Sequence, residues 1–316
     1  MAVNLDKPQR WKADTQLSVD DYNRWFLEYA PITYRETRAR ATVYVEDILL
    51  RTDNLRHLTG DLLFQHPDAL EMLRMSASPP IARDRLVGLA QVSKSLIENM
   101  ERHKRISPNL SETVVREQLE RITSVIRHLI DRDIFIWFDE DTDPTFEAVK
   151  RASTVVADRL CGMLTDPLIR NAQEKRQLQR ITLWLETRDY AESEVRILRQ
   201  MLPGTFAHRV NVAAMQEGSV VVNIPIDTVI MPRSAVAGDL PLLVEAKSAG
   251  DFTNTNKRRK EEATKMRQLR NAFGDQVRFI LLLGGYFDSG YLGYEAAEGI
   301  DWVWEHRMDD LAEFGL

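Results

Sequence analysis

Apolar positions along the chain follow two rhythms, and the change falls near Gln200. Before it the period is helical. Val19, Tyr22, Trp25, Phe26 and Tyr29 recur at the spacing of one helix face, and Val115, Leu119, Ile122, Ile126 and Leu129 repeat the pattern over residues 111–130. Ser111 stands where an N-cap belongs, and Pro79-Pro80 and Pro108 punctuate the chain before that helix. Two further helices are expected over residues 144–164 and 167–186. Each opens on a proline, whose missing N–H costs nothing in a first turn.

After Pro203-Gly204 the texture becomes that of strands. Residues 205–214 and 219–231 are rich in Val, Ile and Phe, with a turn-like Gln-Glu-Gly between them. A second turn over 235–241 leads into a third strand, 242–247, and the three are expected to form an antiparallel meander. A helix follows over 256–273, with an apolar stripe of Ala263, Met266, Leu269 or Arg270, and Phe273. The run 277–287 is apolar but for Arg278 near its start, as expected of a strand buried on both faces. A short strand is expected over 300–304, where Trp302 and Trp304, two residues apart, cover one face. Tyr286, Tyr291 and Tyr294 fall in a Gly-rich segment and are assigned to packing. This order of elements predicts an α/β fold: a mixed β-sheet flanked by helices, preceded by a large N-terminal helical region.

Composition narrows the picture. The chain has 316 residues and no apolar run long enough for a transmembrane helix. Its first residues lack the apolar stretch of a signal peptide. A single cysteine, Cys161, excludes an internal disulfide and a cysteine-based zinc site, so a cytosolic protein is expected. The net charge of −6 argues against a general nucleic-acid coat protein. From Lys247 to Arg270, however, eight basic residues face three acidic ones, an island able to bind a polyanion. No GxGxxG or Walker loop is present, so no nucleotide cofactor is indicated.

The candidate chemistry lies where the third strand ends, "LLVEAK". Alternation points Glu245 and Lys247 the same way. The preceding strand carries Asp227, which an antiparallel meander can bring opposite Glu245. Two adjacent carboxylates repel unless a cation sits between them, and hard oxygen ligands on a rigid sheet suit Mg2+. The ammonium of Lys247 can then hold an attacking water or a phosphate oxygen. A strand-end ion pair is the plainer account of Glu245 and Lys247. A solvated helix face, with Lys257–Glu261 and Arg258–Glu262 pairs, is the plainer account of the basic run. His208 is assigned to packing, since a carboxylate–Mg2+ site does not need it.

"IPID", 17 residues, then "EAK" resembles the core of the PD-(D/E)xK nucleases. The longer blocks "VNIPIDTVIMP…LPLLVEAKSAGDFTNTNKRRKEEATK" and "VRFILLLGGYFDSGYLGYEAAEGIDWVWEH" resemble the XamI family of type II restriction endonucleases, with weaker likeness at "VNLDKPQRWK". Ile226 stands where the wider superfamily has proline, and Pro225 lies one place earlier. The resemblance implies metal binding by Asp227, Glu245 and the Ala246 carbonyl, with Asp227, Glu245 and Lys247 as the catalytic set. It also implies an acidic residue from the helix before the sheet, for which Glu174, Glu186, Glu192 and Glu194 are candidates. Further implications are Mg2+-dependent hydrolysis of double-stranded DNA at a short palindrome of GTCGAC type, leaving 5′-phosphate ends, a homodimer, a cognate DNA methyltransferase, and a bacterial cytoplasmic location. Asn256, Lys257, Arg258, Arg259, Lys260 and Lys265 are the expected DNA contacts. Residues 1–165 are expected to form a helical region for DNA clamping or dimerisation, and 166–316 the nuclease core. Two other functions share these residues: a structure-specific repair nuclease on the same core, and a non-catalytic DNA-binding protein.

Overall fold

A computed structural model describes residues 2–106, 108, 110–140, 142–216, 220–236, 238–253 and 255–316, with residues 215, 216, 220, 221 and 255–259 described by backbone alone. In chain order the helices before the sheet are α1 (Pro8–Arg51), α2 (Gly60–Gln65), α3 (Leu70–Met75), α4 (Arg83–Ala90), α5 (Lys94–His103), α6 (Glu112–Leu129) and α7 (Phe146–Glu186). Then follow β1 (Ala191–Glu192), β2 (Thr205–Gln216), β3 (Val220–Met231), β4 (Leu242–Ala249), α8 (Thr255–Phe273), β5 (Arg278–Gly285), α9 (Ser289–Ala297) and β6 (Asp301–Trp304).

Contacts divide the chain into two compact units, Ala30–Leu168 and Met1–Tyr29 with Ile169–Leu316. The boundary thus falls at 168/169, and the first 29 residues join the C-terminal unit. Hydrogen bonds explain why. The backbone amides of Asn4 and Leu5 donate to the Asp301 carboxylate at 2.9 and 3.1 Å, Thr15 Oγ1 donates to the Phe287 carbonyl at 2.8 Å, and the Gly285 amide donates to Ser18 Oγ at 2.8 Å.

The helical unit closes around one apolar core in which Val115, Leu119, Ile122 and Ile126 of α6 are buried, as their spacing predicts. Ser111 occupies the N-cap position, but its side chain makes no capping hydrogen bond. The two helices expected over 144–186 are a single helix, α7, that runs through Pro167. A helix-internal proline loses one hydrogen bond and crowds the preceding turn. Here apolar stripes on both sides hold the helix together: Val156, Leu160 and Cys161 lie in one core, and Leu178, Ile181 and Leu185 in another. In α1, Pro31 is accommodated in the same way.

The C-terminal unit is built on a six-stranded sheet in the order β1-β2-β3-β4-β5-β6. β2, β3 and β4 form the expected antiparallel meander, while β4, β5 and β6 are mutually parallel. Alternation separates two layers. Leu243, Phe279, Leu281, Leu283, Trp302 and Trp304 enter one core with Met266 and Leu269 of α8, and Leu242, Val244, Ile280, Leu282 and Val303 enter the other with α7. Leu269, not Arg270, therefore carries the α8 stripe. The Gly-rich segment after β5, whose tyrosines are assigned to packing, forms α9, N-capped by Asp288 through the Tyr291 amide at 2.8 Å, with Tyr291 and Leu292 buried. Gly285 ends β5 at φ +92°, where a Cβ would lie 2.2 Å from the Ala249 carbonyl oxygen, so only glycine fits.

Leu281 is fully buried on the central strand β5. Leu281→Ala is expected to cost about 2–5 kcal/mol, from lost transfer energy plus a residual cavity. Urea unfolding of the two proteins checks this; a loss under ~1 kcal/mol would show that the layer repacks.

Candidate active site

The site begins where two strands part. β2 and β3 keep one register out to Gln216 and Val220, interrupted where Arg209 stands opposite Asp227, but β3 and β4 pair only from Ile230–Leu242 to Thr228–Val244. Continuing that register by one residue sets Asp227 opposite Glu245. The Ala246 amide, with no β3 carbonyl beyond that point, donates to Asp227 Oδ2 at 2.8 Å. This bond fixes the Asp227 carboxylate against the start of "EAK". Burial first, and then the Glu245 charge, push the Asp227 acid up to about 6.

Glu245 is buried. Its Oε1 lies 3.0 Å from Lys247 Nζ and 2.7 Å from Lys265 Nζ, while its buried Oε2 has no hydrogen-bond partner among the described residues. Lys247 Nζ also lies 3.1 Å from Glu262 Oε1, and Lys265 donates to the Pro225 carbonyl at 2.8 Å. Four charges thus alternate, Lys265–Glu245–Lys247–Glu262. Burial lowers the Lys247 pKa, but Glu245 and Glu262 outweigh it, and the ammonium is held above its ordinary value.

These groups open onto a cleft of about 320 Å³. Arg170, Glu174 and Gln177 of α7, at successive helical turns, line one side. Of the four candidate glutamates, Glu174 lines this cleft; Glu186 ends α7, Glu192 lies on β1, and Glu194 follows it. Glu174 is paired with Arg209 Nη2 at 3.0 Å. Arg209 sits on β2 opposite Asp227 in register and adopts φ +52°, a left-handed backbone that a non-glycine residue adopts at a cost.

The structure therefore brings Asp227, Glu245, Ala246 and Lys247 together. It also adds two groups that the sequence reading did not single out. Glu262 had been weighed as a solvated partner of Arg258, but it is only 1% exposed and faces Lys247. Gln177 donates from Nε2 to the Lys247 carbonyl at 3.1 Å. Its signal was the helical spacing from Glu174. Of the expected DNA contacts, Lys265 turns in to Glu245 and Lys260 is exposed. Asn256, Lys257, Arg258 and Arg259 form the first turns of α8 by backbone, and their side chains lie outside the described residues. His208 is packed between Thr182 and Thr228, with both ring nitrogens in 2.8 Å hydrogen bonds.

Among the described residues no group of three or more His, Cys, Asp or Glu side chains has metal-binding geometry. The site offers two apposed carboxylates, one with a buried oxygen that has no hydrogen-bond partner. A hard divalent ion that keeps several waters and takes one or two carboxylates fits that donor set.

The metal-free protein should report the Asp227–Glu245 repulsion. An acid raised from 3.8 to about 6 holds its proton in the folded state after the unfolded chain has lost it. Its contribution to stability is therefore full below about pH 4 and falls as pH rises through 6. Asp227→Asn removes this contribution. Denaturation from pH 4 to 7 in EDTA should show stability falling more steeply in the wild type than in the variant; parallel curves would refute the raised acid.

A family model described as XamI restriction endonuclease matches residues 53–304. The type II restriction enzyme SalI of Streptomyces albus G is 50% identical over 316 residues, covering 99% of either chain. Among solved structures, the crystal structure of protein VC1899 from Vibrio cholerae aligns at a TM-score of 0.28 and 15% identity, over 81% of this chain and 55% of that one, a likeness too low to carry an argument. With most of its length matched by the family model and half its residues identical to a type II restriction enzyme, this chain belongs to the XamI restriction endonuclease family.

Proposed function

We propose that the cleft between α7 and the parted strands β3 and β4 is the phosphodiester-cleaving site of this restriction endonuclease, and that Asp227, Glu245 and Lys247 carry the reaction. The chain is a type II restriction endonuclease, a site-specific deoxyribonuclease, by family and by its similarity to SalI. The observation that supports the location is the convergence of two carboxylates and a lysine on one cleft, with Glu245 6% exposed and one of its oxygens without a hydrogen bond.

Asp227, Glu245 and the Ala246 carbonyl would hold Mg2+. When bound, the ion neutralises charge at the scissile phosphate and makes a nearby water more acidic. Lys247, ion-paired from behind, presents its remaining ammonium protons to the attacking water or to a phosphate oxygen. The water oxygen bonds to phosphorus as the P–O3′ bond breaks. The attacking water gives up one proton to solvent in the cleft, the released 3′ oxygen takes one back from solvent, and the new end carries the 5′-phosphate. Glu174, on the cleft wall, is the α7 glutamate best placed to join the acidic set.

The target we propose is a GTCGAC hexamer in double-stranded DNA. A palindrome is matched by two-fold protein symmetry, hence a homodimer. The helical region supplies the dimer contact, part of the DNA clamp, or both. The basic start of α8 lies one or two turns before Glu262, which supports phosphate contacts by Lys257 to Lys260 near the cleft. A cognate methyltransferase would shield host DNA in a bacterial cytoplasm. Among the described residues no helix is long and apolar enough to cross a membrane.

Plasmid carrying one GTCGAC site should be linearised with Mg2+ and left intact with EDTA. Lys247→Ala should lower single-turnover cleavage by about 10³-fold, with DNA affinity in Ca2+ within a few-fold of wild type. Cutting of plasmid that lacks the hexamer would refute the proposed target. Full activity of Lys247→Ala would refute the site.

A further inference from the structure

We propose that Glu262 is a positioning residue that keeps the Lys247 ammonium at the cleft when the Glu245 carboxylate turns to a divalent ion. This rests on the reading of Lys247 as catalytic.

Glu262 lies on the inward face of α8, one turn before Met266 and two before Leu269, both core residues. It is 1% exposed, and among the described residues neither of its oxygens makes a hydrogen bond. Its one ion pair among them is the 3.1 Å contact with Lys247. Such a group is a poor device for stability. A buried ion pair recovers its desolvation cost only with good geometry and further hydrogen bonds, and an apolar replacement of similar volume is often as stable or more so. The neighbouring positions of the stripe are apolar.

The position makes sense for orientation. Lys247 carries its charge on a flexible four-carbon stem. Its other anchor, Glu245 Oε1, is shared with Lys265 at 2.7 Å. A divalent ion taken up through the unpartnered Oε2 of Glu245 repels both ammonium groups held at Oε1, and a lysine held from that side alone would be released as the site fills. Glu262 supplies a second anchor from a different element, outside the pair of carboxylates opposed across β3 and β4. The ammonium is therefore restrained in both the empty and the filled site.

The test compares full-length Glu262→Gln, Glu262→Asp and Lys247→Ala with wild type, reading thermal midpoint, DNA affinity in Ca2+ and single-turnover cleavage in Mg2+. Glu262→Gln keeps the shape and removes the charge. It should lose roughly 100-fold in cleavage rate, the scale of a misplaced catalytic group, with DNA affinity within about two-fold of wild type. Glu262→Asp should recover at least about ten-fold of that loss, at a thermal midpoint no higher than that of Glu262→Gln. The inference is overturned if Glu262→Gln cleaves at the wild-type rate, if its loss follows weaker DNA binding or unfolding, or if Glu262→Asp recovers nothing. Lys247→Ala separates the two ideas: wild-type cleavage by that variant removes the active-site reading itself, whatever Glu262 does.

Discussion

Two carboxylates face each other across a pair of strands that has just come apart, and the rest of the site is arranged around their repulsion. Up to Thr228 and Val244 the strands are joined by backbone pairing. One residue later Asp227 accepts the Ala246 amide, and Glu245 meets two lysines. Burial, and then the charge of Glu245 beside it, push the Asp227 acid up. A fold selected for stability alone would put apolar side chains at such positions. Holding two acids here is a cost that the packed layers on either side of the sheet must offset.

Those layers explain why the arrangement can be rigid. The parallel strands β4, β5 and β6 are buried on both faces, with α7 on one and α8 and α9 on the other. Each helix packed on the sheet also presents polar groups at the cleft end. α7 contributes Glu174 and Gln177, and α8 contributes Glu262 and Lys265. A side chain whose backbone lies on a packed helix loses little further freedom when it reaches its partner, so the charged chain is largely set before any ligand arrives.

Much of this could be read from the residues. The strands, their meander and the buried run of β5 follow from periodicity, and the "EAK" triplet located Glu245 and Lys247 because strand alternation is strict. Other features could not be read. Pro167 looks like a helix start, and only the apolar stripes on both sides of it make α7 continuous. Ser289 to Ala297 did not announce a helix because two tyrosines and two glycines obscure its stripe, which burial of Tyr291 and Leu292 then reveals. Glu262 was hidden by its neighbours: within "KRRKEE" every charge reads as solvated, and only the docking of α8 shows which one turns inward. The partner of Lys265 was hidden for the same reason, since nothing in a lysine beside a basic run points to the Glu245 carboxylate it lies against.

Anomalous diffraction from crystals soaked in Mn2+ tests the central claim most directly, because it locates a divalent ion without relying on cleavage. The account predicts a single strong site in the cleft of each molecule, within about 2.0–2.3 Å of a carboxylate oxygen of both Asp227 and Glu245, the range of hard divalent ions on oxygen. A site that forms elsewhere, or one bound by Glu245 while Asp227 stays on the Ala246 amide and away from the ion, would contradict it.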